Sequence, residues 1–128
     1  MSSNRRLLFV DDETAVQRAF VRSMHGLDIA IQCVSGVNEA IAALKVGEYA
    51  VVVTDMTMTD GTGLDVLRAM STHAPRSGRI VLSGDQDVAA VVVGTPVDVV
   101  LTKPWDVTRL RRVVSDAMAL AATRAKST

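Results

Sequence analysis

Residues 7–13 read Leu-Leu-Phe-Val-Asp-Asp-Glu: four consecutive apolar side chains run straight into an acidic pair. An unbroken apolar run of this kind suits a strand covered on both faces, as in a parallel sheet. Four further strands are read along the chain. Ile29 to Val34 is the second. Tyr49-Ala50-Val51-Val52-Val53 is a third and leads into Asp55. Ile80-Val81-Leu82 is a fourth and ends on Ser83, and Val97 to Leu101 is a fifth, followed by Lys103.

Helical stripes separate these runs. Val16, Ala19, Phe20, Ser23 and Met24 share one face, with Ser23 its only polar member, and Gly26 can end that helix. Ser35 can cap a second helix with Val37, Ala40, Ile41 and Leu44 inward, ended near Gly47. A Thr- and Gly-rich loop from Met56 to Thr62 precedes a third, carrying Leu64, Leu67 and Met70 and stopped before Pro75. Residues 85–93 read as a short fourth helix. Asp106 begins a fifth, with Leu110, Val113, Val114, Ala117 and Leu120 inward. Five strand–helix alternations predict an α/β fold: a doubly wound, five-stranded parallel sheet with right-handed crossovers. The 128 residues suit a single domain, with a core from about 6 to 122 and flexible ends at 1–5 and 123–128.

Composition narrows the function classes. Apolar residues make up 48% and charged residues 22%, as in ordinary globular chains, which excludes wholesale disorder. The 14 basic and 14 acidic residues cancel, so no overall field holds DNA or anionic lipid. Aromatics are only 3%, too few for a base-stacking platform. The lone Cys33 excludes an internal disulfide and reads as packing. His25 and His73 lack metal-ligand spacing and read as solvated; Arg109, Arg111 and Arg112 read as a solvated face, with a partner surface as the alternative. No signal peptide is read at the start, and no apolar run reaches the ~18 residues that span a bilayer. A cytoplasmic protein without membrane or direct nucleic-acid partners is expected.

In open sheets of this kind, ligands bind beyond the carboxyl ends of the strands. The residues there are Asp11, Asp12, Asp55, Ser83 and Lys103. With the first and third strands adjacent, three carboxylates converge. That is unfavourable unless a cation sits among them or a proton is taken up. Oxygen donors without His or Cys suit Mg²⁺ or Mn²⁺. A lysine and a hydroxyl beside them point to phosphoryl chemistry, in which a carboxylate can be the nucleophile. Taken alone, Asp11-Asp12 also suits a helix N-cap, and Ser83 and Lys103-Pro104 suit turns. Their joint placement at strand ends favours a site.

On these residues the chain resembles the receiver domain of two-component response regulators. The matching segments are Leu-Phe-Val-Asp11-Asp12-Glu13, Val-Val-Val-Thr-Asp55-Met-Thr-Met58, Gly63-Leu64, Ile-Val-Leu-Ser83-Gly84 and Leu-Thr-Lys103-Pro104-Trp105. They fall in the family's order from about Leu7 to about Ala122. The resemblance implies a flavodoxin-like (βα)₅ fold with strand order 2-1-3-4-5. It implies that Asp55 is the phosphoacceptor, charged by a sensor histidine kinase or phosphotransfer protein. It further implies that Asp12 ligates Mg²⁺ directly, that Asp11 acts through water, and that Thr57 lends its backbone carbonyl. Ser83 and Lys103 would bind the phosphoryl group, and Lys103-Pro104 would be a cis peptide. Such a protein catalyses only its own phosphorylation and dephosphorylation. The resemblance implies an effector or output domain as partner at the face of the fourth helix, fifth strand and fifth helix, and a homodimer as a further expectation.

Three positions depart from the family's pattern. Thr59 stands where proline is usual, Thr62 where an acid is common, and Val100 where a Tyr or Phe often acts as a rotamer switch. A phosphorylation-independent interaction module and a phosphate shuttle or sink are the alternative functions. Two enzyme readings fail on their chemistry. A haloacid dehalogenase would need Asp two residues before Asp60, where Met58 stands, and no Gly-Lys-Ser/Thr follows Gly61-Thr62-Gly63.

Overall fold

The computed structural model describes residues 4–84 and 97–126. Five parallel strands form the main sheet: β1 (Arg6–Val10), β2 (Ala30–Val34), β3 (Val51–Asp55), β6 (Gly78–Ser83) and β7 (Val99–Thr102), in the order β2-β1-β3-β6-β7. Between β3 and α3 (Gly63–His73), β4 (Thr57–Met58) and β5 (Gly61–Thr62) pair as a small antiparallel hairpin, where the sequence suggests only a loop. Leaving that hairpin aside, the order is the expected 2-1-3-4-5 of a flavodoxin-like α/β fold. The predicted fourth helix, at 85–93, lies outside the described residues.

Helices cover both faces of the sheet, which is why β1 and β3 read as unbroken apolar runs over residues 7–10 and 51–53; β2, which carries Gln32, is only partly buried. Leu8, Val10, Val52 and Val81 pack with α2 (Val37–Val46) and α3 on one side. Leu7, Phe9, Val51, Val53, Ile80 and Leu82 pack with α1 (Thr14–Ser23) and α4 (Val107–Lys126) on the other. Burying each such side chain is worth about 1.5–3 kcal/mol. Three of the four aromatics gather on the α1/α4 side. Phe9 stacks on Phe20 with ring centroids 4.1 Å apart, and Trp105 meets Phe20 edge-on at 6.3 Å. Ser23, the polar member of the α1 stripe, accepts the Trp105 indole N–H at 3.0 Å and donates to the Ala19 carbonyl at 2.9 Å. Cys33 sits half-buried against the same core. His25 and His73 are exposed.

Several local expectations are corrected. Ser35 does not cap α2. The N-cap position is Gly36, and the carboxylate of Asp60 accepts the N–H groups of Val37 at 2.8 Å and Asn38 at 3.0 Å. A Cβ on Gly36 would stand 2.7 Å from that carboxylate, which would have to shift to admit it. Leu120 is 46% exposed, and Met118 and Ala121 are buried in its place. At about 100° per residue, Leu120 lies well off the line through Leu110, Val114, Ala117 and Ala121. Arg111 is not merely solvated: its guanidinium donates to the carbonyls of Ser23 at 2.9 Å and His25 at 2.7 Å, closing the end of α1. α4 continues past Thr123 to Lys126. Among the described residues, no helix is long and apolar enough to cross a membrane.

Candidate functional site

Neighbouring parallel strands in matched register carry the acidic residues to one edge. Val10 lies opposite Thr54, so Asp11 and Asp55 leave β1 and β3 side by side. Asp11, Asp12 and Asp55 each bring a carboxylate oxygen within 4.8 Å of the others. The start of α3 presses against this edge. Gly63 N–H donates to the Met56 carbonyl at 2.8 Å, and a Cβ on Gly63 would meet the Asp55 carbonyl oxygen at 2.7 Å. A side chain there would push the loop after Asp55 out of place.

Lys103 reaches in from the far side. Its backbone N–H donates to the Ser83 carbonyl at 2.8 Å, which carries the β6–β7 pairing one step beyond β7. Its Nζ lies 2.8 Å from Asp11 Oδ2 and 3.1 Å from Asp55 Oδ1. Asp11 is fully buried, and its other oxygen accepts the Glu13 N–H at 2.9 Å. Asp55 Oδ1 also accepts the Met56 N–H at 2.9 Å. Asp12 is held differently, because its Oδ2 accepts both the backbone N–H of Thr59 at 2.9 Å and the Thr59 hydroxyl at 2.8 Å. None of the three carboxylates caps α1, whose N-cap residue is Glu13 with no side-chain bond. The bland N-cap reading of the acidic pair therefore does not hold.

The remaining predicted residues lie on β4, β6 and β7 and just after β7. Ser83 is buried at the end of β6. Thr57 is exposed in β4, two residues beyond Asp55. Val100 is half-buried in β7, opposite Val81, and packs on the α2/α3 side. The Lys103–Pro104 peptide is cis. An open, mostly apolar groove borders Lys103 and is lined by Ala15, Val16, Ala19, Pro104, Trp105 and Val107.

The electrostatics follow from burial. Desolvation pushes the Asp55 carboxyl above the ordinary carboxylate range, and the Asp11 charge adds to this. The hydrogen bond and charge of Lys103 and the Met56 N–H oppose it without cancelling it. Burial alone would lower the Lys103 ammonium, but its bonds to Asp11 and Asp55, and their charges, more than offset that and raise it. One lysine among three carboxylates leaves negative charge to balance. An all-oxygen donor set converging within 4.8 Å fits a hard divalent cation such as Mg²⁺.

Two tertiary contacts were not visible in the sequence. Thr59 is noticeable there only as a missing proline, and Asp60 only as part of a rejected enzyme motif. Nothing in their spacing ties them to Asp12 or to the start of α2, which lie 47 and 22–23 residues away.

Known proteins resemble the chain in sequence and in fold. The model of the response regulator receiver domain family matches residues 7–115. The acid tolerance regulatory protein ActR of Rhizobium meliloti is 33% identical over 105 residues, covering 80% of this chain and 54% of that protein. The chain thus spans about half the length of this relative. Among solved structures, a response regulator receiver protein from Pseudomonas putida is 28% identical with a TM-score of 0.82, covering 91% of this chain and 99% of that one. The signal receiver domain of an HD domain-containing protein from Pseudomonas fluorescens shares the fold. Its TM-score is 0.92 at 19% identity, over 100% of this chain and 96% of that one.

Proposed function

The chain belongs to the response regulator receiver domain family of two-component signalling, and on that premise we propose that Asp55 accepts a phosphoryl group from a histidine kinase or phosphotransfer protein and thereby switches a partner-binding face. The observation that carries this reading is the position of Lys103. It bridges Asp55 and Asp11 while Asp12 completes the acidic cluster.

Asp11, Asp12 and Asp55 would hold Mg²⁺, with the Thr57 carbonyl as a further oxygen donor. The bound ion supplies charge screening between two anions, the donor and the acceptor. A carboxylate oxygen of Asp55 attacks phosphorus. The new O–P bond forms as the P–N bond of phosphohistidine breaks, and the leaving imidazole retains the electron pair. Lys103 then moves its ion pair from the carboxylate to the phosphoryl oxygens, and the Ser83 hydroxyl donates to another. Displacing Ser83 pulls on the chain that follows β6. Val100 offers no ring to bury, so the response travels through that chain rather than through a rotamer switch. The partner is an effector, an output domain or a second copy. The reading places the reaction in the cytoplasm.

Incubation with a small acyl phosphate and Mg²⁺, followed by intact-mass spectrometry, tests the reading. One added phosphoryl group is expected, absent without Mg²⁺ and absent in Asp55→Asn. Equal labelling of Asp55→Asn overturns it, and no labelling of the native chain favours a phosphorylation-independent module. A shuttle or sink would return the group to its donor rather than engage an effector.

A further inference from the structure

We propose that Thr59 is a positioning residue for the metal, orienting Asp12 through two hydrogen bonds to one carboxylate oxygen. The inference rests on the reading of Asp11, Asp12 and Asp55 as Mg²⁺ ligands. It extends that reading to a residue outside the three carboxylates.

The three carboxylates are not balanced alike. Lys103 serves Asp11 and Asp55. Among the described residues Asp12 has no cation within ion-pair distance, and its charge is met instead by Thr59. The backbone N–H and the hydroxyl of that one residue both reach Oδ2, at 2.9 and 2.8 Å. Two donors on one oxygen occupy both of its lone pairs and fix the rotation of the carboxylate. Oδ1 is then the oxygen left for a cation. A metal-bound carboxylate that is itself hydrogen-bonded is the usual outer-sphere arrangement, and losing such a partner typically costs 10–100-fold in affinity.

Residue 59 is itself held in place. Asp60, next in the chain, is clamped to the start of α2 by the N–H groups of Val37 and Asn38. Thr59 therefore presents its donors from a loop anchored at a second point. Proline at this position would have neither an N–H nor a hydroxyl. Here the two bonds of Thr59 pre-set Asp12 before the ion arrives.

Mg²⁺ titration without any phosphodonor, by calorimetry and by Trp105 fluorescence, separates the donors. Thr59→Ser retains both and should bind within about twofold of the native chain. Thr59→Val keeps only the N–H and should be weaker. Thr59→Pro loses both and should be weaker by about tenfold or more. Thr59 is exposed, so thermal unfolding of the variants should confirm an intact fold. Native-like affinity in Thr59→Pro, or equal loss in Thr59→Ser and Thr59→Pro, overturns the proposal. If the native chain itself binds no Mg²⁺, the metal reading beneath it fails as well.

Discussion

Lys103 Nζ sits 2.8 Å from Asp11 Oδ2, so a side chain from the end of β7 neutralises a fully buried carboxylate at the end of β1. The lysine is therefore structural before any phosphoryl group arrives. Removing it strands a buried charge. Lys103→Ala should destabilise the fold by about 3 kcal/mol at neutral pH. Urea unfolding should show this loss and its partial recovery in millimolar Mg²⁺. Unchanged stability would mean that Asp11 is adequately solvated without the lysine.

Asp55 should behave in the opposite way. Burial raises its carboxyl above the unfolded value, so its contribution to stability is full below the unfolded pKa and is lost as pH rises through the folded one. At neutral pH the ionised group costs stability. Asp55→Asn should raise Tm by about 3 °C there, and the gain should shrink in acid. A lower Tm for the Asn variant at neutral pH would contradict this.

The Asp60 carboxylate is lowered by the N–H groups of Asn38 and Val37. Its contribution to stability is present above the unfolded carboxyl pKa and is lost as pH falls through the lowered folded value. Asp60→Ala should lower Tm at neutral pH, with the difference from the native chain closing in strong acid. Ser35→Ala should leave Tm within error, since Asp60 rather than Ser35 satisfies the start of α2. Calorimetry of both variants checks the pair.

The groove beside Lys103 offers apolar surface next to the acceptor, and Val107 on its rim is 47% exposed. If a phosphohistidine donor protein covers this groove, Val107→Glu should slow transfer from that protein by about tenfold. Labelling by a small acyl phosphate should not change. The fold should tolerate the substitution, because an acid in the first turn suits the helix dipole. Equal slowing with both donors would move the docking surface elsewhere.

The five parallel strands and the acidic edge were readable from the chain because their cause is local. Strands covered on both faces must be apolar throughout, as Leu7 to Val10 and Val51 to Val53 are. In such sheets the residues after adjacent strands, here Asp11, Asp12 and Asp55, meet by geometry alone. Lys103 and Ser83 were legible for the same reason. What the tertiary structure alone decided is which partner each polar group takes. Asp60 displaces Ser35 at α2, Thr59 rather than a cation holds Asp12, Arg111 closes α1, and Lys103 bonds Asp11 as well as Asp55. These bonds join positions from 22 to 92 residues apart. A hydrogen bond requires donor and acceptor to meet within about 3 Å, and only the packed chain sets such distances.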